Sequence, residues 1–137
     1  MKAKAAQLKS RKIDILVFGD DGAGKRTFME QFTNKDVSKD TQVSKTCKTE
    51  YLRKTVEMPG SNQKAVVRLW RQTAQERPFT TRLFREADCA IYIADLTCGV
   101  EKTKQKVTNL NRILARECRD NVVKVLVGNK LDLEKTR

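Results

Sequence analysis

The residues with the clearest chemical meaning form a glycine-rich stretch near the beginning of the chain, with the sequence GDDGAGKR at positions 19–26. An apolar run at 13–18 precedes it, and Phe28, Met29 and Phe32 follow at helical spacing, so the predicted order is strand, glycine loop, helix. In that order, the spacing GxxxxGK is typical of a phosphate-binding loop (P-loop), whose glycines allow backbone N–H groups to approach an anion. The helix N-terminus favours negative charge, and Lys25 is expected to reach the β- and γ-phosphates. An ordinary glycine-rich turn stays open as the alternative, because Arg26 stands where the motif has Ser or Thr.

Further apolar runs predict the elements that must hold this loop. Residues 51–58 and 65–70 are expected strands, and the turn-forming residues 59–62 between them predict an antiparallel hairpin. Residues 89–94 and 122–127 are expected strands on either side of a helix. The apolar face of that helix consists of Val107, Leu110, Leu114 and Cys118. This alternation predicts an α/β fold class with a mostly parallel sheet and helices on both faces. The polar residues 33–46 are predicted to form a long loop.

Composition excludes several classes of protein. The 137 residues suit one domain, and no apolar stretch approaches the roughly 18 to 20 residues of a membrane span. The basic residues 1–12 lack the apolar segment of a secretory signal. Histidine is absent and the four cysteines form no CxxC pair, which argues against zinc sites, disulfide frameworks and histidine-dependent hydrolases. The net charge of +12 attracts anions non-specifically, but the 6% aromatic content offers no stacking pattern, so nucleic acid is not an expected partner.

Five motifs together resemble the Rab group of small GTPases in the Ras superfamily. They are GDDGAGK at Gly19, KTVE at Lys54, LWRQTAQER at Leu69, IADLT at Ile93 and VGNKLD at Val127. The resemblance implies a P-loop NTPase G domain over residues 12–137, preceded by a basic extension at 1–11. It also implies that the domain is incomplete, because the family's last strand, last helix and SAK-type guanine loop have no counterpart after Asp132. The family's terminal prenylated cysteines are also missing, so no lipid anchor is expected.

The resemblance implies roles for individual residues. Asn129, Lys130 and Asp132 correspond to the family's guanine-reading NKxD, in which the Asp carboxylate accepts from two guanine donors. A turn or helix cap formed by isolated Asn and Asp residues is the alternative explanation. Gln75 corresponds to the family's water-orienting glutamine, and Thr46 and Ala74 occupy switch positions. The expected phosphate-binding positions are Asp21, Gly22, Ala23, Gly24, Lys25, Arg26 and Thr27.

The departures from the family concern the metal and the γ-phosphate. Arg26 replaces the Ser or Thr that holds Mg²⁺, Arg71 replaces the Asp of the DxxG motif, and Ala74 replaces its Gly. A guanidinium cannot coordinate Mg²⁺, so no metal ligand is assigned and hydrolysis is expected to be slow or absent. Asp21 adds a like charge beside the expected γ-phosphate. Two interpretations of Arg26 stay open, in which it either pairs with phosphate or extends into solvent.

These expectations favour a Rab-like switch that binds GTP and GDP and acts in vesicle or membrane traffic, with impaired Mg²⁺-dependent hydrolysis. The alternative is a pseudo-GTPase, a protein-interaction scaffold without a nucleotide cycle. The expected partners are guanine nucleotide and effector or regulatory proteins. The protein is expected in the cytoplasm, and on endomembranes only through a partner, because no lipidation motif is found.

Overall fold

The computed structural model describes residues 11–20, 22–32, 42–44, 49–72 and 79–130. A strand and a helix come first in the chain, three consecutive strands follow them, and helices and strands then alternate. They are β1 (Arg11–Gly19), α1 (Lys25–Phe32), β2 (Gln42–Ser44), β3 (Thr49–Glu57), β4 (Lys64–Gln72), α2 (Thr81–Glu86), β5 (Cys89–Asp95), α3 (Val100–Glu117) and β6 (Val123–Asn129).

The strands of the described segments form one sheet with the order β2-β3-β4-β1-β5-β6. β1 lies between β4 and β5 and is parallel to both, and β6 continues the parallel part beside β5. β3 and β4 form the expected antiparallel hairpin, whose turn is closed by the Met58 N–H donating to the Gln63 carbonyl over 2.9 Å. The predicted α/β class with a mostly parallel sheet is therefore confirmed.

Two short elements differ from the expectation. β2 lies within the segment predicted to be a loop, and its antiparallel pairing with β3 adds a second antiparallel pair to the hairpin. α2 was not predicted; it begins after Thr80, whose hydroxyl accepts a hydrogen bond from the Leu83 N–H over 3.3 Å. Both elements are too short for a hydrophobic period to be recognised in the sequence.

Apolar side chains cover both faces of the sheet. On the face that packs against α1, the buried cluster contains Val17, Ala23, Met29, Leu52, Val67, Leu69, Ile91 and Ile93. On the face that packs against α2 and α3, it contains Leu16, Phe79, Phe84, Ala87, Ala90 and Leu114. The adjacent residues Leu16 and Val17 are 0% and 2% exposed, as expected for a central parallel strand buried on both faces. Within the described parts of the chain, none of the helices has the length and apolarity needed to cross a membrane.

An ion pair between a buried aspartate and a partly buried arginine connects β1 to β4. Asp14, only 6% exposed, accepts from Arg68 Nε over 2.6 Å and from Arg68 Nη2 over 2.8 Å, while Trp70 Nε1 donates to its Oδ1 over 3.0 Å. The hydrogen bonds that Arg68 donates to Asp14 raise the pKa of Arg68. Asp14 and Arg68 are also direct partners in the strand register. This two-point contact therefore stabilises the alignment of the two strands.

Replacing Arg68 with Met is expected to lower the free energy of unfolding by about 3 kcal/mol, because the Asp14 carboxylate would stay buried without its cation. The matched control is Arg82→Met, which removes an exposed pair with Glu86 (N···O 3.0 Å) and should cost less than about 0.5 kcal/mol. Urea unfolding followed by circular dichroism measures both. Equal losses in the two variants would contradict this account of the Asp14 pair.

Candidate functional site

The glycine loop lies between the carboxyl end of β1 and the first turn of α1. Within it, the Ala23 N–H donates to the Asp20 carbonyl over 3.0 Å, and the Phe28 N–H donates to the Gly24 carbonyl over 2.9 Å to begin the helix. Ala23 is completely buried, so the loop is held against the body of the domain. The first turn of α1 therefore begins beside the loop, and a helix N-terminus that follows a glycine loop is an arrangement that favours anions.

Lys25 places its ammonium group beside this loop. Its Nζ donates to the Gly19 carbonyl over 2.8 Å, so the side chain folds back toward the end of β1. The next residue, Arg26, points the other way. Its side chain is 65% exposed, and its Nε contacts Glu30 Oε1 at 3.0 Å. The structure thus places Lys25 at the loop and Arg26 on the solvent side of α1. Thr27 is also exposed.

Asn129, at the end of β6, connects the second predicted motif to the loop. Its Nδ2 donates to the Ala23 carbonyl over 2.8 Å, although the two residues are 106 positions apart in the sequence. Gly24 has φ +97°, and a Cβ at this position would collide with Asn129 Nδ2. A side chain at position 24 would therefore have to adopt an unfavourable backbone conformation and displace the Asn129 amide from its present position.

Lys130 is held by an acidic residue that sequence reasoning did not single out. Lys130 Nζ contacts Asp95 Oδ2 at 2.9 Å, and Thr97 donates to Asp95 Oδ1 from its hydroxyl over 2.5 Å and from its N–H over 2.9 Å. These hydrogen bonds, first from Thr97 and then from Lys130, hold the pKa of Asp95 well below its usual range. Lys130 has φ +63°, so the chain turns sharply at this contact. The IADLT motif contained the signal, because Asp95 ends a strand next to β6.

A second missed contact joins the loop to α3. Lys106 Nζ forms an ion pair with Asp20 Oδ2, so the loop and the long helix α3 are connected.

The remaining predicted positions concern the metal and the switch regions. Arg71, near the end of β4, is half-buried and lies opposite Val17 of β1 in the strand register. In the described segments, no three Cys, Asp or Glu side chains come together in a way that could hold a metal ion. The expected residues Asp21, Thr46, Ala74, Gln75 and Asp132 lie outside the described residues.

Comparison with known proteins agrees with this arrangement. Residues 14–137 match the family model described as Ras family. The chain belongs to the Ras family. It is 31% identical over 127 residues to the Ras-related protein RAB1BV of Beta vulgaris, a match that covers 91% of this chain and 56% of the relative. It is 30% identical over 127 residues to the Ras-related protein RABE1d of Arabidopsis thaliana, with the same coverage of 91% and 56%.

A vertebrate relative gives the same result. The Ras-related protein Rab-18-B of Danio rerio is 32% identical over 123 residues, which cover 88% of this chain and 57% of the relative. These relatives confirm the Rab-like resemblance that was inferred from the motifs. The chain spans little more than half the length of these curated relatives.

The contact between Gly24 and Asn129 predicts a specific pattern of destabilisation. Gly24→Ala should lower the free energy of unfolding by about 1 to 2 kcal/mol more than Gly22→Ala, because both introduce strain at positive φ but only Gly24 adds a collision. In an Asn129→Ala background the difference should disappear, since the contacted side chain is removed. Urea unfolding of the five variants tests this. A difference that persists without Asn129 would show that another neighbour causes it.

Proposed function

We propose that this chain binds guanine nucleotides, GDP and GTP, as a Rab-like member of the Ras family with impaired Mg²⁺-dependent hydrolysis. The observation that carries the proposal is the hydrogen bond from Asn129 to the Ala23 carbonyl. This hydrogen bond directly connects the motif that is expected to read the base with the loop that is expected to hold the phosphates. An unrelated glycine turn and an isolated Asn cap would have no reason to lie in contact with each other.

The phosphate end of the proposed site consists of backbone and one lysine. Gly22 and Gly24 have φ of +79° and +97°, a conformation that glycine adopts readily because it has no Cβ, and the missing Cβ atoms also let an anion approach the backbone closely at these two positions. The N-terminus of α1 favours negative charge at the same place. Lys25 would exchange its bond to the Gly19 carbonyl for the stronger, charge-assisted bond to a phosphate oxygen.

The base end of the proposed site is formed by the end of β6 and the residues after it. Asn129 supports the loop, and Lys130 is oriented by Asp95, so both side chains are fixed by contacts to neighbouring elements. By resemblance to the family, Asp132 reads guanine. Its carboxylate would accept from the two donors of guanine but would face the wrong hydrogen-bonding edge of adenine.

Two positions around the expected metal do not fit an ordinary Mg²⁺ site. Arg26 and Arg71 supply only N–H donors and positive charge, whereas Mg²⁺ requires oxygen ligands. We therefore propose slow or absent hydrolysis, in which Gln75 orients water inefficiently because the metal is not held normally.

We further propose that the chain acts as a switch in vesicle traffic that recruits effector or regulatory proteins. The chain would be cytoplasmic and would reach endomembranes through such a partner.

The second candidate is a pseudo-GTPase scaffold that keeps the fold without a nucleotide cycle. The exposed pair between Arg26 and Glu30 favours it, because in this arrangement the Arg26 charge is directed away from the loop. Titration with GDP and GTP, each with and without a chelator, separates the candidates. Absence of binding to either nucleotide would favour the scaffold, and micromolar or tighter binding would favour the nucleotide-binding protein.

Replacing Asp132 with Asn is expected to weaken GTP binding by about 1 to 3 kcal/mol, the scale of a lost charged hydrogen bond. The preference for guanine over adenine should decrease, and xanthine nucleotide should compete better, because its base presents an acceptor where guanine has a donor. Competition against a labelled guanine nucleotide measures all three. If ATP competes as well as GTP in the unmodified chain, the proposed base recognition is wrong.

Chelation of divalent cations is expected to change nucleotide affinity by less than about threefold, since two metal-associated positions are arginine. If Arg26 contacts phosphate, Arg26→Ala should weaken binding while Arg26→Ser should partly restore Mg²⁺ dependence. If Arg26 stays in solvent, Arg26→Ala should have little effect. Arg82→Ala, on the exposed face of α2, controls for loss of net charge. Strong Mg²⁺-dependent affinity together with ordinary GTP turnover would refute the impaired metal site.

A further inference from the structure

The geometry points to Lys106 of α3 as a positioning residue of the phosphate loop, one that holds and neutralises the Asp20 carboxylate beside the phosphates. This inference rests on the proposed function, because it assumes that the loop binds a nucleotide. Its basis is the ion pair between Lys106 Nζ and Asp20 Oδ2, which crosses from α3 to the second residue of the loop motif. The two residues are 86 positions apart, so the pair is a product of the fold.

The direction of the Asp20 side chain follows from its partner. Its carboxylate pairs with Lys106, which lies one turn before Leu110 on α3. Leu110 packs with Leu16 and Phe18 of β1 in the cluster on the face of the sheet that packs against α3, so the Asp20 carboxylate lies on the α3 side. The carbonyl of Asp20 accepts the Ala23 N–H over 3.0 Å, so its backbone is part of the loop while its side chain is held from outside.

The electrostatic consequence concerns the loop itself. Asp20 and Asp21 are consecutive acids in a segment that is proposed to hold phosphates, and an uncompensated carboxylate there would repel the ligand. The hydrogen bond that Lys106 donates to Asp20 raises the pKa of Lys106, so the lysine remains charged at neutral pH. Tyr92 lies close to the pair, and burial raises its pKa, so it remains a neutral phenol. Lys106 therefore supplies the positive charge that offsets Asp20.

The alternative is a surface ion pair that only stabilises the packing of α3 against the loop. The two accounts differ in what Asp20→Asn should do. If the ion pair has only this structural role, Asp20→Asn and Lys106→Met both remove it and should weaken nucleotide binding to the same extent. If Lys106 acts by neutralising Asp20, removing the carboxylate also removes the need for the lysine, so Asp20→Asn keeps affinity while Lys106→Met loses it.

The test is calorimetric titration of the full chain and its variants with GDP. We expect Lys106→Met to weaken binding by about 3- to 10-fold, Lys106→Arg to bind like the unmodified chain, and Asp20→Asn to bind at least as tightly. The double variant Asp20→Asn/Lys106→Met should bind like Asp20→Asn alone. Lys104→Met is the matched control, because Lys104 is on the same helix and its contact among the described residues is a long one, 3.8 Å to exposed Glu101.

Each other outcome overturns the inference. Unchanged GDP affinity in Lys106→Met, or a loss in Lys104→Met of the same size, would show that the position of the lysine is irrelevant. A double variant as weak as Lys106→Met would show that Lys106 does not act through Asp20. An unmodified chain that binds no GDP would overturn the proposed function and this inference together, whereas binding with an unaffected Lys106→Met would overturn the inference alone.

Discussion

The position of β1 at the centre of the sheet is the constraint on which the candidate site depends. β1 pairs in parallel with β4 and β5, and β5 pairs in parallel with β6, so the carboxyl ends of these strands meet at one edge. Open parallel sheets bind ligands at such edges, because the loops that follow the strands converge there. Here the convergence brings together the glycine loop after β1, Asp95 at the end of β5 and Asn129 at the end of β6. The packing of Leu16 and Val17 on opposite faces keeps β1, and hence the start of the loop, in place.

Charge at this edge is organised in pairs that cross between elements. Asp20 of the loop is paired with Lys106 of α3, and Asp95 of β5 is paired with Lys130 beyond β6. The Asp20 pair lies beside the loop proposed to hold the phosphates, whereas the Asp95 pair lies at the proposed base end, and in each a carboxylate is compensated by an ammonium group from a neighbouring element. An uncompensated Asp20 carboxylate would oppose phosphate binding, because like charges at short range repel even at the effective dielectric constant of a protein surface. The pair with Lys106 therefore allows an acid-rich loop to remain compatible with an anionic ligand.

The predictability of each part depends on how local its cause is. The helix α1 was predicted directly after the glycine loop, because the loop marks its start and its apolar residues follow the helical period. β4 extends through Arg71 to Gln72, beyond the predicted apolar run, because pairing with β1 and β3 satisfies backbone groups whatever the side chain. β2 and α2 were missed since they are too short to show a period. The partners Asp95 and Lys106 were missed for a different reason, because contacts made by distant segments leave no pattern along the chain.

Arg26, which stands where the family resemblance expects a Ser or Thr that holds Mg²⁺, adds a positive charge at the helix end where an anion would bind. The positive end of the helix dipole makes a cation in the first turn of α1 unfavourable, and the pair with Glu30 one turn later offsets this. Such an exposed i,i+4 pair contributes only about 0.3 to 0.5 kcal/mol. A guanidinium bound to phosphate forms stronger, charge-assisted hydrogen bonds, so replacing Glu30 by a phosphate oxygen would cost little. The solvent-facing position of Arg26 in the structure is therefore compatible with a phosphate contact once an anion is bound, and the helix dipole that disfavours Arg26 alone would be compensated by that anion.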